Sequence, residues 1–86
     1  MRSLRPDLAL VARQVPFNSR VLDLGCGSCD LLAHLMRERR CSGTGVERDP
    51  GRVLEAIRRG VPVIELDLDE QMNQFADKSY EVVVLS

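Results

Sequence analysis

The stretch Val21-Leu22-Asp23-Leu24-Gly25-Cys26-Gly27-Ser28-Cys29-Asp30-Leu31-Leu32 opens as a short apolar strand, breaks at two glycines, and resumes with leucines at helical spacing. Leu31, Leu32, Leu35 and Met36 fall on one helical face, so the pattern predicts strand, tight turn and amphipathic helix. Ser28 suits the N-cap and Asp30 the first turn. Further along, Gly43-Thr44-Gly45-Val46-Glu47 reads as a second strand. Asp49 then caps a second helix, Pro50 takes its first position, and Val53, Leu54 and Ile57 form the predicted buried stripe. Arg58 and Arg59 fit the last turn, and Gly60 the stop. Residues 61–66 make a third strand, with Pro62 at its start. Residues 69–76 read as a short helix or loop, Asp77-Lys78-Ser79 as a turn, and residues 80–85 as a fourth strand.

Strands alternating with helices, the strands apolar along their length, predict an α/β domain with a parallel sheet covered by helices on both faces. Its crossovers are right-handed. Val82-Val83-Val84-Leu85 is apolar on both faces, which suits the middle of a sheet, yet the sequence ends one residue later. The expectation is therefore one partial domain over residues 1–86, with its C-terminal strands missing.

Eighty-six residues form one small domain, and 44% hydrophobic with 29% charged residues is a globular balance. Phe17, Phe75 and Tyr80 are the whole aromatic complement, too few for a base-stacking nucleic-acid surface. A net charge of −1 gives no general attraction to nucleic acid or membrane. The charge is nonetheless divided: residues 1–60 carry eleven Arg and seven acids, residues 61–86 one Lys and six acids. The basic run Arg37-Glu38-Arg39-Arg40 reads as a solvated helix end. No segment approaches the roughly 20 apolar residues that span a bilayer. The start, with Arg2, Arg5 and Arg13 around a short apolar run, is no signal peptide. Three cysteines without a secretory signal predict reduced thiols in a cytoplasmic protein.

Glycines in a strand-to-helix turn let the backbone approach a ligand, and the helix N-terminus aims amide donors at it. Glu47 follows Gly27 by twenty residues and ends the next strand, where a carboxylate can accept ribose hydroxyls. Together they read as a nucleoside crevice. A dinucleotide fingerprint needs a third glycine at position 30. Asp30 stands there, and its charge would repel a pyrophosphate. Asp23, two residues before the first glycine, suits a ligand with an ammonium group. S-adenosylmethionine has an ammonium, a sulfonium, a ribose and no phosphate.

At these residues the chain resembles the class I S-adenosylmethionine-dependent methyltransferases. Residues 21–27 are similar to their first motif, Gly45-Val46-Glu47 to the second, Asp67-Leu68 to the third, and residues 82–86 to the fourth strand. The run of Arg20 to Gly27, Gly45-Val46-Glu47-Arg48-Asp49, Gly60-Val61-Pro62-Val63-Ile64, Asp67-Leu68-Asp69 and Val82-Val83-Val84-Leu85-Ser86 resembles, more narrowly, the methionine biosynthesis family MetW. The resemblance implies a Rossmann-like sheet ordered 3-2-1-4 and S-adenosylmethionine or S-adenosylhomocysteine as ligand. It implies cofactor binding by Asp23, Gly25, Cys26, Gly27, Glu47, Asp67 and Leu68. Gly25 and Gly27 would admit the methionine part, Asp23 would position its ammonium, Glu47 would hold the ribose, and Asp67 with Leu68 would frame the adenine. It further implies a homoserine O-acyltransferase as partner; the alternative is an active methyltransferase on a small molecule. No catalytic residue, methyl acceptor or oligomeric state follows. Cys29 in place of a frequent third glycine, Leu66 before Asp67, and Glu81 where Asp is usual depart from the pattern.

Two rival chemistries share the same residues. Cys26-Gly27-Ser28-Cys29 is a C-x-x-C at a helix N-terminus, a setting for thiol exchange, but the preceding Asp23-Leu24-Gly25 fits the methyltransferase turn better. Cys26, Cys29, His34 and Cys41 have the ligand types of a zinc site. The intervening helix sets Cys41 roughly 20 Å from Cys26, which excludes one tetrahedral site and leaves no metal expected. His34 reads as a boundary residue rather than a base.

Overall fold

The computed structural model describes residues 4–67 and 80–85. Seven elements follow in order: α1 (Pro6–Gln14), β1 (Arg20–Leu24), α2 (Asp30–Glu38), β2 (Ser42–Glu47), α3 (Pro50–Arg58), β3 (Val63–Glu65) and β4 (Val82–Leu85). The strands form one sheet ordered β3-β2-β1-β4, the order expected from the sequence. All neighbours are parallel, with Asp23 beside Gly45 on one side and Val84 on the other. The expected segments at residues 69–76 and 77–79 lie outside the described residues.

The two sheet faces differ. Val21, Val84 and the helical residues Ala12, Leu31, Leu32, Leu35 and Ala56 join in one buried cluster, with Leu8, Ala33 and Met36 packed against it. Leu22, Leu24 and Val46 form a second cluster with Ile64, Leu66 and Tyr80, and none of these comes from a described helix. Among the described residues, helical cover thus lies on the first face. Val83 and Leu85 alternate outward from β4 and are exposed.

α1 is an element the sequence pattern did not predict. Its signals are Pro6 in the first turn, Asp7 beside it, and Leu8, Ala12 and Val15 reaching the core. The basic run after α2 is more than a solvated end. Arg39 Nε donates to the Val15 carbonyl at 2.7 Å, and its guanidinium lies 4.3 Å from the Phe17 ring centroid. It therefore ties the end of α2 to the end of α1. α2 starts one residue later than the Ser28 cap implied, with Cys29 at the N-cap, and the Ser28 hydroxyl reaches the Asp30 carboxylate instead.

In α3 the predicted stripe is corrected. Val53 and Ala56 are buried, while Leu54 and Ile57 are exposed. Val53 and Ala56 are three residues apart and point at β2 and β3; Leu54 and Ile57 sit one position further round the helix. The Gly60 stop is as expected. Gly60 adopts φ 78°, its N–H bonds the Ile57 carbonyl, and the Val61 N–H bonds the Ala56 carbonyl, a full Schellman closure.

Truncating Leu35, which is fully buried, should lower the unfolding free energy by about 2–4 kcal/mol. Leu54→Ala should change it by less than about 0.5 kcal/mol. Urea midpoints of the two variants check this assignment of the inner and outer faces.

Candidate functional site

The glycine turn is held flat on β2. Gly25 and Cys26 N–H groups both donate to the Val46 carbonyl, at 2.8 and 3.0 Å. Gly25, Gly27 and Cys29 all have positive φ, at 70°, 61° and 62°. This left-handed geometry is free for glycine and costly for cysteine. Beneath the turn lies Gly45, where a Cβ would come within 2.6 Å of Cys29 Sγ and 2.7 Å of Cys26 Sγ. The missing side chain is what lets the turn sit down on the strand.

Glu47 then locks the arrangement. Its Oε1 accepts the Gly27 N–H at 2.8 Å. Its Oε2 accepts the N–H groups of Arg48 at 3.1 Å and Asp49 at 2.9 Å. One carboxylate thus joins the glycine turn to the turn that starts α3. A carboxylate offers about four lone-pair sites, so these bonds leave room for about one more donor. A ligand bringing two hydroxyls would have to displace an amide.

The expected residues converge at the carboxyl ends of β1, β2 and β3. Asp23 is 1% exposed, inside β1. Gly27 bonds Glu47 directly, while Gly25 and Cys26 bond the neighbouring Val46 carbonyl. Asp67 is half-buried, one residue past Leu66, whose N–H bonds the Glu47 carbonyl at 2.9 Å. Leu68 lies outside the described residues. A cleft of about 220 Å³ opens beside the turn, lined by Gly25, Cys26, Gly27 and Ser28 and flanked by Arg5, Asp30 and Arg52. Arg52 is close: a Cβ on Gly27 would meet its Nη1 at 3.0 Å. Sequence reasoning missed both arginines as site residues, because Arg5 precedes an unpredicted helix and Arg52 is brought in by α3. Asp30, whose charge argued against pyrophosphate, pairs with Arg59 at the end of α3.

The cysteines differ from expectation. Cys26 and Cys29 are joined as a disulfide, with Cα atoms 4.8 Å apart, and Cys41 is free and buried. The tight turn brings the Cα atoms into the range that a disulfide spans. Among the described residues, no group of three or more His, Cys, Asp and Glu side chains is placed to hold a metal ion, and no helix is long and apolar enough to cross a membrane.

Comparison with known proteins bears on this geometry directly. The profile of the family described as methionine biosynthesis protein MetW matches residues 5–86. The chain belongs to the MetW family. It is 33% identical over 92 residues to the bifunctional methionine biosynthesis protein MetXA/MetW of Rhodopirellula baltica, covering 98% of this chain and 15% of that protein. Among solved structures it is similar to a SAM-dependent methyltransferase from Thiobacillus denitrificans in complex with S-adenosyl-L-homocysteine. That match has TM-score 0.79 and 26% identity over 95% of this chain and 36% of the other. A TehB-like SAM-dependent methyltransferase from Corynebacterium glutamicum shares the fold, with TM-score 0.81 and 18% identity over 99% of this chain and 46% of the other. The sheet order and the neighbours together make this a Rossmann-like methyltransferase fold. The chain therefore spans less than half the length of each of these three proteins.

Two substitutions test the geometry. Gly45→Ala should destabilise the chain by about 1–3 kcal/mol, since both sulfurs are hemmed in by the turn, and a urea titration reads this. Glu47→Ala should leave three amides without their acceptor. Its signature in hydrogen exchange is faster exchange at Gly27, Arg48 and Asp49, with the amides of α2 little changed.

Proposed function

We propose that this MetW chain binds S-adenosylmethionine or S-adenosylhomocysteine and serves methionine biosynthesis beside a homoserine O-acyltransferase. The observation that carries the ligand reading is the contact between the Gly27 amide and the Glu47 carboxylate. It brings the glycine turn and the acid that would meet a ribose to one point at the carboxyl ends of β1 and β2. The left-handed glycines, the adjoining cleft and the absence of a third glycine at position 30 fit an adenosyl group without phosphates. When bound, S-adenosylmethionine supplies an electrophilic methyl group. The chain's own residues would place and enclose it: Asp23 toward the ammonium, Gly25, Cys26 and Gly27 along the methionine part, Glu47 on the ribose, Asp67 and Leu68 at the adenine.

The partner reading is supported by the Rhodopirellula relative, whose name joins MetXA to MetW in one bifunctional protein. Such fusion favours two functions that work side by side, and a biosynthetic role of this kind belongs in the cytoplasm. A small-molecule methyltransferase is the second reading, favoured by the complex of the Thiobacillus relative with S-adenosyl-L-homocysteine.

An amide NMR titration with S-adenosylhomocysteine, with NAD as control, tests the ligand. Shifts at Gly25, Gly27 and Glu47 with the adenosyl ligand alone are expected, and Glu47→Ala should weaken binding at least about tenfold. A dispersed spectrum indifferent to the ligand would overturn the reading. Co-purification with a homoserine O-acyltransferase supports the partner role; turnover of S-adenosylmethionine with cell metabolites supports the methyltransferase instead.

A further inference from the structure

We propose that Cys26 and Cys29 form a reversible thiol–disulfide couple that sets how tightly the glycine turn holds its adenosyl ligand. The inference rests on the ligand reading above and adds regulation to that site. Three observations carry it. The two residues that bracket Gly27 and Ser28 are bonded through their sulfurs, so the bond closes the turn on itself. Both sulfurs press against Gly45, where even a Cβ would not fit beside them. Breaking the bond moves the sulfurs from bonding distance to van der Waals separation, in a space already closed by β2. The turn must lift or Cys29 must rotate. Cys29 is also held at φ 62°, a conformation costly for cysteine that the disulfide maintains together with the bonds from the Cys29 N–H to the Cys26 carbonyl and from the Ala33 N–H to the Cys29 carbonyl, so reduction removes one of its restraints. The Gly27 amide, two residues away, is the one that meets Glu47.

The couple has a route to exchange partners. Cys26 lines the cleft and is 8% exposed, whereas Cys29 is fully buried; both sulfurs lie on the Gly45 side of the turn, so exchange proceeds when the turn lifts. Arg5 and Arg52 flank the same cleft, paired with Asp7 at 3.4 Å and Asp49 at 3.7 Å, and Asp30, also at its wall, is paired with Arg59. A small-molecule disulfide supplies the oxidant. The Cys26 thiolate attacks one of its sulfurs, forms a mixed disulfide and releases one thiol. The Cys29 thiolate then attacks the Cys26 sulfur and releases the second. The protein loses two thiol protons and two electrons, and the small disulfide becomes two thiols. A dithiol reductant reverses both steps. The oxidised turn is the preorganised one, so it binds more tightly.

The test is calorimetric titration of the 86-residue chain with S-adenosylhomocysteine, in excess oxidised glutathione and again in dithiothreitol, with thiols counted after denaturation. One thiol is expected under oxidant and three under reductant. Binding should weaken about tenfold on reduction, the scale set by holding one non-glycine residue left-handed. The double variant Cys26→Ser/Cys29→Ser, which can form neither the disulfide nor a mixed disulfide in the turn, should bind with one affinity under both conditions. A count of three under oxidant, or equal affinities despite a change of two thiols, overturns this inference and leaves the ligand reading standing. Binding in neither state overturns the ligand reading and the regulation with it.

Discussion

The close approach of a turn to a strand, permitted by one missing side chain, underlies the arrangement of this protein. At Gly45 the middle of β2 presents bare backbone, and the two cysteines of the glycine turn fill the space a Cβ would need. Because the turn lies flat, its first amides reach the Val46 carbonyl. Because those amides are fixed, Cys29 can cap α2, and α2 can lay Leu31, Leu32 and Leu35 into the core. Helix position, sheet register and site geometry thus depend on one contact between backbones.

Glu47 extends that packing contact into a bridge between two turns. Its carboxylate collects three backbone amides from two separate turns. In a small chain with a modest core, such a charge-assisted bridge does structural service, and under the proposed adenosyl reading the same carboxylate would serve recognition as well. The consequence is a trade between stability and ligand contact at one side chain: a donor brought by a ligand competes with donors that the fold already uses. This also explains why the site is assembled before any ligand arrives. The glycine turn forms one wall of the cleft, and Arg5, just before α1, and Arg52, on α3, stand at its flank.

Much of the fold was legible because its signals are local. Two glycines between an apolar strand and a leucine-rich helix need no distant partner to be read, and Gly60 ends α3 by its own left-handed backbone. The spacing from Gly27 to Glu47 was read as putting the acid where a ribose would sit, and in the structure its carboxylate accepts the Gly27 amide. Misreadings occurred where neighbours decide. Leu54 and Ile57 look like core residues by composition, yet the angle at which α3 meets β2 and β3 selects Val53 and Ala56. Arg39 looks like a solvated charge, and only the end of α1 nearby gives it the Val15 carbonyl and the Phe17 ring. α1 itself was overlooked because its apolar run is short, and its helical face becomes evident only against α2.

The sequence by itself determined the alternation of strands and helices, the positions of the turns, and the identity of the acid that faces the glycines. Those features depend on backbone freedom and on side-chain period, which are properties of short stretches. Only the tertiary structure decided which face of each helix is buried, which arginines flank the cleft, and that two cysteines three residues apart become bonded. The buried faces and the arginines depend on the distance and angle between elements far apart in the chain, which the parallel pairing of β1 with β2 across α2 sets, whereas the disulfide depends on how tightly the turn closes over Gly45.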